Sequence, residues 1–240
     1  MSALKAGDAS GPAPARGVFV TGTGTGVGKT IVSACLVRAW DAAYWKPVQT
    51  GISAQPDDPY AADFEPADSE TIAALTGTTE ILPPRHVFRA PLSPEAAAAL
   101  ESVSIDLADF DMPSAVRPIV VEGAGGVLVP LNAHCLMSDL MVRLALPVVL
   151  VAGTGLGTIN HTLLSLEALR ARRLRIAGIV LVGPSNPGNR DAIRRHGGVG
   201  ILFELPHLSA LTPDALHQAS ASVPAFATVA GAAAFAPAAG

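Results

Sequence analysis

Hydrophobic positions in this chain come in short solid runs, and polar or glycine-rich segments separate them. Gly17-Val18-Phe19-Val20-Thr21 is one such run. It breaks into a glycine-rich stretch, Gly22 to Gly28, and Lys29 to Trp40 then carries apolar residues at helical spacing. Ala43 to Val48 reads as a second strand, and a helix follows from Asp68 to Leu75, with Asp68 or Ser69 as its cap. Arg85 to Phe88 is a short strand. Ser93-Pro94-Glu95-Ala96 opens an alanine-rich helix, with serine at the cap and proline in the first turn. Pro118 to Glu122 is an apolar strand that ends in a carboxylate followed by Gly123-Ala124-Gly125-Gly126. Pro147 to Ala152, Ile176 to Val182 and Ile201 to Phe203 are further strands. Helices at Ile159–Arg172 and near Asn189–Arg195 lie between them.

Strands that are apolar throughout, alternating with helices, predict an α/β fold with a mostly parallel sheet covered by helices on both faces. Ligands of such sheets bind beyond the carboxyl ends of the strands. The loops after Thr21, Val48, Glu122, Ala152 and Val182 are therefore expected to converge on one site. Residues 1–16, with Gly7, Gly11, Pro12 and Pro14, read as a flexible arm, and 17–240 as a single domain. The alanine-rich tail from about residue 215 is compatible with a weak helix or with disorder.

Composition narrows the function. The 240 residues are 50% hydrophobic and 15% charged, with a net charge of −4 and no basic run. That argues against disorder and against a nucleic-acid partner, which needs clustered cations. No apolar segment is long enough to cross a membrane and the N-terminus lacks an apolar leader core, so the expected location is the cytoplasm. Cys35 and Cys135 are 100 positions apart and belong to no CxxC pair. They read as two buried small hydrophobes rather than as a zinc site or a disulfide. Of the 16 basic residues only Lys5, Lys29 and Lys46 are lysine. A lysine kept inside the fold of so arginine-rich a chain suggests a site that needs a compact ammonium.

Four segments carry chemistry. Gly22-Thr23-Gly24-Thr25-Gly26-Val27-Gly28-Lys29-Thr30, between strand and helix, is a variant P-loop with five residues rather than four between its glycines. Backbone N–H groups of Gly26, Val27, Gly28 and Ile31 can surround phosphates, Lys29 can reach the terminal ones, and the Thr30 hydroxyl can bind Mg²⁺. The competing reading is a glycine turn with no ligand. Lys46-Pro47-Val48-Gln49-Thr50-Gly51 puts a second ammonium at the same rim, where it would stabilise a phosphoryl group in transfer; a surface lysine beside a turn is the alternative. Glu122-Gly123-Ala124-Gly125 places a carboxylate after a buried strand, where a metal-binding acid belongs. Asp68 is the second such acid, or else a plain helix cap. Gly153-Thr154-Gly155-Leu156-Gly157-Thr158-Ile159-Asn160 leads into another helix start, either a second anion site for a substrate carboxylate or a tight turn. The six histidines, His161 included, show no ligand spacing.

GTGTGVGKT, KPVQTG, EGAGG and GLGTINH, in that order, resemble the dethiobiotin synthetase family from about Gly17 to Leu208. The resemblance implies a homodimeric P-loop protein that closes a ureido ring on 7,8-diaminononanoate with CO₂ or bicarbonate, ATP and Mg²⁺. It implies Lys46 as the active-site lysine, Thr25 and Thr50 as substrate contacts, and Lys29 with the P-loop amides on the phosphates. Thr30, Asp68 and Glu122 would hold Mg²⁺, with Gly123, Ala124 and Gly125 beside the nucleotide. Gly157, Thr158, Ile159 and Asn160 would receive the substrate carboxylate across the dimer interface. Two departures stand out. Gly26 replaces a glutamate frequent in the family, and Val182-Gly183 replaces an Asn-Asp pair whose asparagine reads adenine. Val182 can neither donate to nor accept from a base edge, so base discrimination is expected to be weak. Contacts would come from backbone near Gly183 and from Pro206-His207-Leu208. Other readings are an amide-forming P-loop ligase, a small-molecule-binding subunit, and a partition-type ATPase switch. The switches carry a lysine early in the loop, where this chain has Gly24.

Overall fold

A computed structural model describes residues 16–52 and 67–231. The expected N-terminal arm lies outside the described residues except for Arg16, and so does the tail beyond Gly231.

The strands are β1 (Gly17–Gly22), β2 (Ala43–Trp45), β3 (Val48–Gln49), β4 (Ile81–Leu82), β5 (His86–Val87), β6 (Ile119–Gly126), β7 (Val148–Gly153), β8 (Ile176–Val182) and β9 (Ile201–Leu205). Seven of them form one sheet in the order β4-β2-β6-β1-β7-β8-β9, in which every pairing is parallel. β1 sits in the middle, so the loop that follows it opens at the centre of the sheet's carboxyl edge.

The helices are α1 (Lys29–Trp40), α2 (Asp68–Thr76), α3 (Pro94–Leu100), α4 (Met137–Leu144), α5 (Thr158–Ala171), α6 (Pro187–Gly197), α7 (Pro213–Ser220) and α8 (Phe226–Ala230). Alternation along the strands sends side chains to two cores. Phe19, Val121 and Leu150 pack against Leu140, Leu166 and Ile193 of α4, α5 and α6. Val18, Val20, Tyr44 and Val120 pack against α1 and α2, with Leu216 of α7 and Val229 of α8 behind them. This is the expected α/β sheet with both faces covered. Among the described residues no helix is long and apolar enough to cross a membrane.

Several expectations need correction. The strand expected over 43–48 stops at Trp45. Pro47 has no N–H to give a ladder, and Val48–Gln49 leave to pair with His86–Val87 as a separate two-stranded ribbon. The strand expected to end at Glu122 runs on through Gly126, so Glu122 lies within it, in register with Val20. Helix α4 was not foreseen because no Ser, Thr, Asp or Asn precedes it. Its Asp139 caps from inside instead, accepting the Leu136 N–H at 2.7 Å. Ser93 does cap α3, accepting from the Ala96 N–H. Cys35 is sealed in the core, where burial raises its thiol to about 11, but Cys135 is only partly buried. The alanine-rich tail is helical over α7 and α8, and the Trp40 indole donates to the Pro224 carbonyl at 2.8 Å and meets Phe226 edge-on.

Candidate active site

β1 turns into the glycine loop, and the loop feeds α1 without a side-chain cap, so the first N–H groups of the helix stay available to an anion. Gly28 has φ of 95°, and a Cβ there would also meet Val182 at 3.0 Å. Gly22 is needed for another reason: its Cβ would press on the Val27 side chain. The Lys29 ammonium donates to the Gly24 carbonyl at 2.9 Å, which folds the loop around its own lysine.

Two adjoining cavities of about 760 Å³ each share Gly26, Gly28 and Ile31 of this loop. The loops after β1, β2 and β6 meet in one. Those after β7, β8 and β9 meet with the glycine loop in the other. The single convergence expected from the sequence is thus a two-lobed cleft astride the P-loop.

The first lobe holds the charges. Thr30 is the second residue of α1, Asp68 begins α2, Glu122 projects from β6, and Lys46 follows β2. The Lys46 ammonium donates to Asp68 Oδ2 and, at 3.3 Å, to Glu122 Oε1. The Thr30 hydroxyl bonds Asp68 Oδ1 and lies 3.1 Å from Glu122 Oε1. Asp68 does not cap α2, and neither does Ser69; the cap position is Ala67, which leaves the Asp68 carboxylate to the cleft. Glu122 is fully buried, and the Tyr44 hydroxyl donates to its other oxygen at 3.0 Å.

Electrostatics follow from this packing. Burial pulls the Lys46 ammonium down, but Glu122 and Asp68 outweigh it and its pKa is raised. In this packing Lys46 is held as an ammonium by its two carboxylate neighbours. Burial, with help from Lys46, lowers Lys29 despite Glu122 and Asp68. Burial pushes the Asp68 carboxyl up, but the Lys46 ammonium and hydrogen bonds from Lys46, Thr30 and Gln49 together outweigh it, and its pKa is lowered.

Among the described residues no group of three or more His, Cys, Asp or Glu could hold a metal. Two carboxylates and a hydroxyl are nonetheless the kind of hard-oxygen set that suits Mg²⁺, which takes few protein ligands and completes its shell with phosphate and water. The residues present fit that ion.

Thr25 and Thr50 line the first lobe, as do Ala124 and Gly125. Gly123 lines neither lobe: a Cβ there would strike the Phe19 ring, so this glycine serves close packing. Val27, Val182, Pro206, His207 and Leu208 line the second lobe. The Gly183 N–H is taken by the Leu205 carbonyl at 2.9 Å and cannot serve a base. Gly157, Thr158, Ile159 and Asn160 line neither lobe, and the Thr158 hydroxyl donates to the Gly153 carbonyl at 2.6 Å within its own turn. Sequence reasoning missed Pro91 to Pro94 on the wall of the first lobe, and Ser185 and Asn186 in the second; Gly153, Thr154 and Gly155, read from the sequence as part of an anion site or a tight turn, line the second lobe instead. A Pro-Leu-Ser-Pro turn carries no chemical signal that could have revealed the former.

A protein-family model described as an AAA domain matches residues 16–215. The ATP-dependent dethiobiotin synthetase BioD of Paramagnetospirillum magneticum is 52% identical over 197 residues, which are 82% of this chain and 91% of that protein. The BioD of Agrobacterium fabrum is 45% identical over 204 residues, 84% of this chain and 91% of the relative. The biotin biosynthesis bifunctional protein BioCD of Bordetella avium is 48% identical over 211 residues. That match takes in 87% of this chain but 43% of the bifunctional protein, so the chain spans less than half of that relative.

Proposed function

This chain belongs to the ATP-dependent dethiobiotin synthetase family, and we propose that its first lobe closes the ureido ring of dethiobiotin on 7,8-diaminononanoate, using CO₂ and ATP. The observation that carries this reading is the meeting of Lys46, Asp68, Glu122 and Thr30 beside the P-loop lysine.

The geometry supports the following division of labour. Lys29 and the amides at the start of α1 hold the phosphates, and the second lobe takes the base. Thr30, Asp68 and Glu122 would hold Mg²⁺, which would supply positive charge to the phosphates. One amine of the substrate adds to CO₂ and loses a proton, giving a carbamate. A carbamate oxygen attacks the γ-phosphorus and ADP leaves. The second amine then attacks the carbonyl carbon of the mixed anhydride, loses a proton to the departing phosphate, and so closes the ring. The Lys46 ammonium balances the negative charge that builds as the phosphoryl group moves, while Thr25 and Thr50 orient the carbamate. No residue needs to form a covalent bond, since positioning and charge carry this chemistry.

The Gly157–Asn160 segment serves the site of a second copy in a homodimer. Three features support this reading: Leu156 is fully exposed, Leu128 and Leu164 are about half exposed, and a groove lined by Leu128, Leu164 and His161 runs beside Thr23–Thr25. In the second lobe the apolar Val182 side chain makes base discrimination weak.

Phosphate release is the direct test. It is expected to need both diaminononanoate and bicarbonate, and release at the same rate without either one would overturn the reading.

A further inference from the structure

Tyr44 is fully buried and has no part in the chemistry above. It stands in register with Val120 of β6. Glu122, two residues further along β6, projects from the same face and is its diagonal neighbour, within reach of a long side chain. The Tyr44 hydroxyl uses that reach to donate to Glu122 Oε2 at 3.0 Å. The other oxygen, Oε1, is the one turned to Thr30 and Lys46, at 3.1 and 3.3 Å. The two oxygens of one buried carboxylate are thus assigned to different partners from opposite sides.

Resting on the reading of Glu122 as a cation ligand, we infer that Tyr44 is a positioning residue that allots these oxygens: it keeps Oε2 for itself, so that Glu122 meets a divalent cation through Oε1 alone. A small ion such as Mg²⁺ is content with single oxygens in an octahedral shell, whereas Ca²⁺ takes more ligands and accepts both oxygens of a carboxylate. By withholding one oxygen, Tyr44 favours Mg²⁺ over Ca²⁺. It also fixes the carboxylate rotamer, as partners of metal ligands generally do.

Calorimetric titration of the ADP-loaded protein with Mg²⁺ and with Ca²⁺ tests this in wild type and Tyr44→Phe, which keeps the ring and loses only the hydroxyl. The variant is expected to bind Mg²⁺ about tenfold more weakly and to hold or gain Ca²⁺ affinity, so that the preference falls by about tenfold or more. A purely structural role would lower the melting temperature without moving that ratio. A ratio within about twofold of wild type, in a wild type that binds Mg²⁺, overturns the inference alone. A wild type that binds neither cation overturns the cation-site reading and the inference with it.

A second measurement does not depend on that variant folding. The chain has two tyrosines, Tyr44 and Tyr60, so ring-carbon labelling gives two signals that Tyr60→Phe assigns. The Tyr44 signal is expected to shift when Mg²⁺ is added to the ADP complex, and a signal that stays in place overturns the inference.

Discussion

Lys46 Nζ lies 3.3 Å from Glu122 Oε1, and both side chains are nearly sealed from water at the carboxyl edge of the sheet. A charge pair buried this deeply persists because each partner is held by further polar groups: Asp68 on the lysine, Tyr44 and Thr30 on the glutamate. The relationship puts a compact ammonium, shared between two carboxylates, beside the proposed phosphoryl path.

Lys46→Arg is accordingly expected to cut turnover about 100-fold or more, because a planar guanidinium cannot reproduce a compact ammonium's contacts to Asp68 and Glu122. Nucleotide binding and the folded state are expected to survive, since Lys29 and the P-loop are untouched. Steady-state kinetics beside a nucleotide titration measure both, and near-normal turnover would remove the case for Lys46.

The second lobe offers a base the apolar Val182 side chain and the Pro206–Leu208 segment. Turnover with ATP, CTP and GTP at matched concentrations is expected to agree within about tenfold, because strong rejection needs a hydrogen-bonding group that the wrong base leaves unpaired. A strict preference for ATP would show that another group, such as Thr154 or Asn186, reads the base edge.

Asp68 gives the site a pH signature. Its folded-state pKa lies below the ordinary 3.8, so the stability it contributes is present above that value and is lost as pH falls through the lowered one. In metal-free and nucleotide-free protein, Asp68→Asn is expected to show a smaller loss of stability on acidification into this range than wild type. Denaturant midpoints measured across the acid limb decide it, and parallel curves would contradict the assignment.

The C-terminal helices can be weighed separately. Leu216 of α7 is fully buried against α1, so Leu216→Ala is expected to cost ~2–5 kcal/mol of unfolding free energy. Chemical denaturation measures it. A loss well below 1 kcal/mol would mean that α7 is not part of the core.

Much of this protein was legible in one dimension. Solid apolar runs between helical segments specify a sheet covered on both sides, because only a strand buried on both faces can afford no polar alternation. Gly22 to Thr30 specifies a phosphate loop, because glycines, a helix start and a lysine at that spacing do one job. Ser93 and Pro94 mark a helix start on their own, since capping is a local interaction. The tertiary structure alone decided the rest. Asp68 had equal standing as a helix cap until the fold placed it against Lys46 and Thr30, which lie 22 and 38 positions away. Strand register made Tyr44 the diagonal neighbour of Glu122, although 78 positions separate them in the chain. Gly123 is a matter of packing because Phe19 lies against it. Hydrophobic period and turn chemistry act between near neighbours, and a sequence displays them directly. Which partner each Glu122 oxygen meets depends on strands and helices meeting across the fold, and only the packed molecule fixes that.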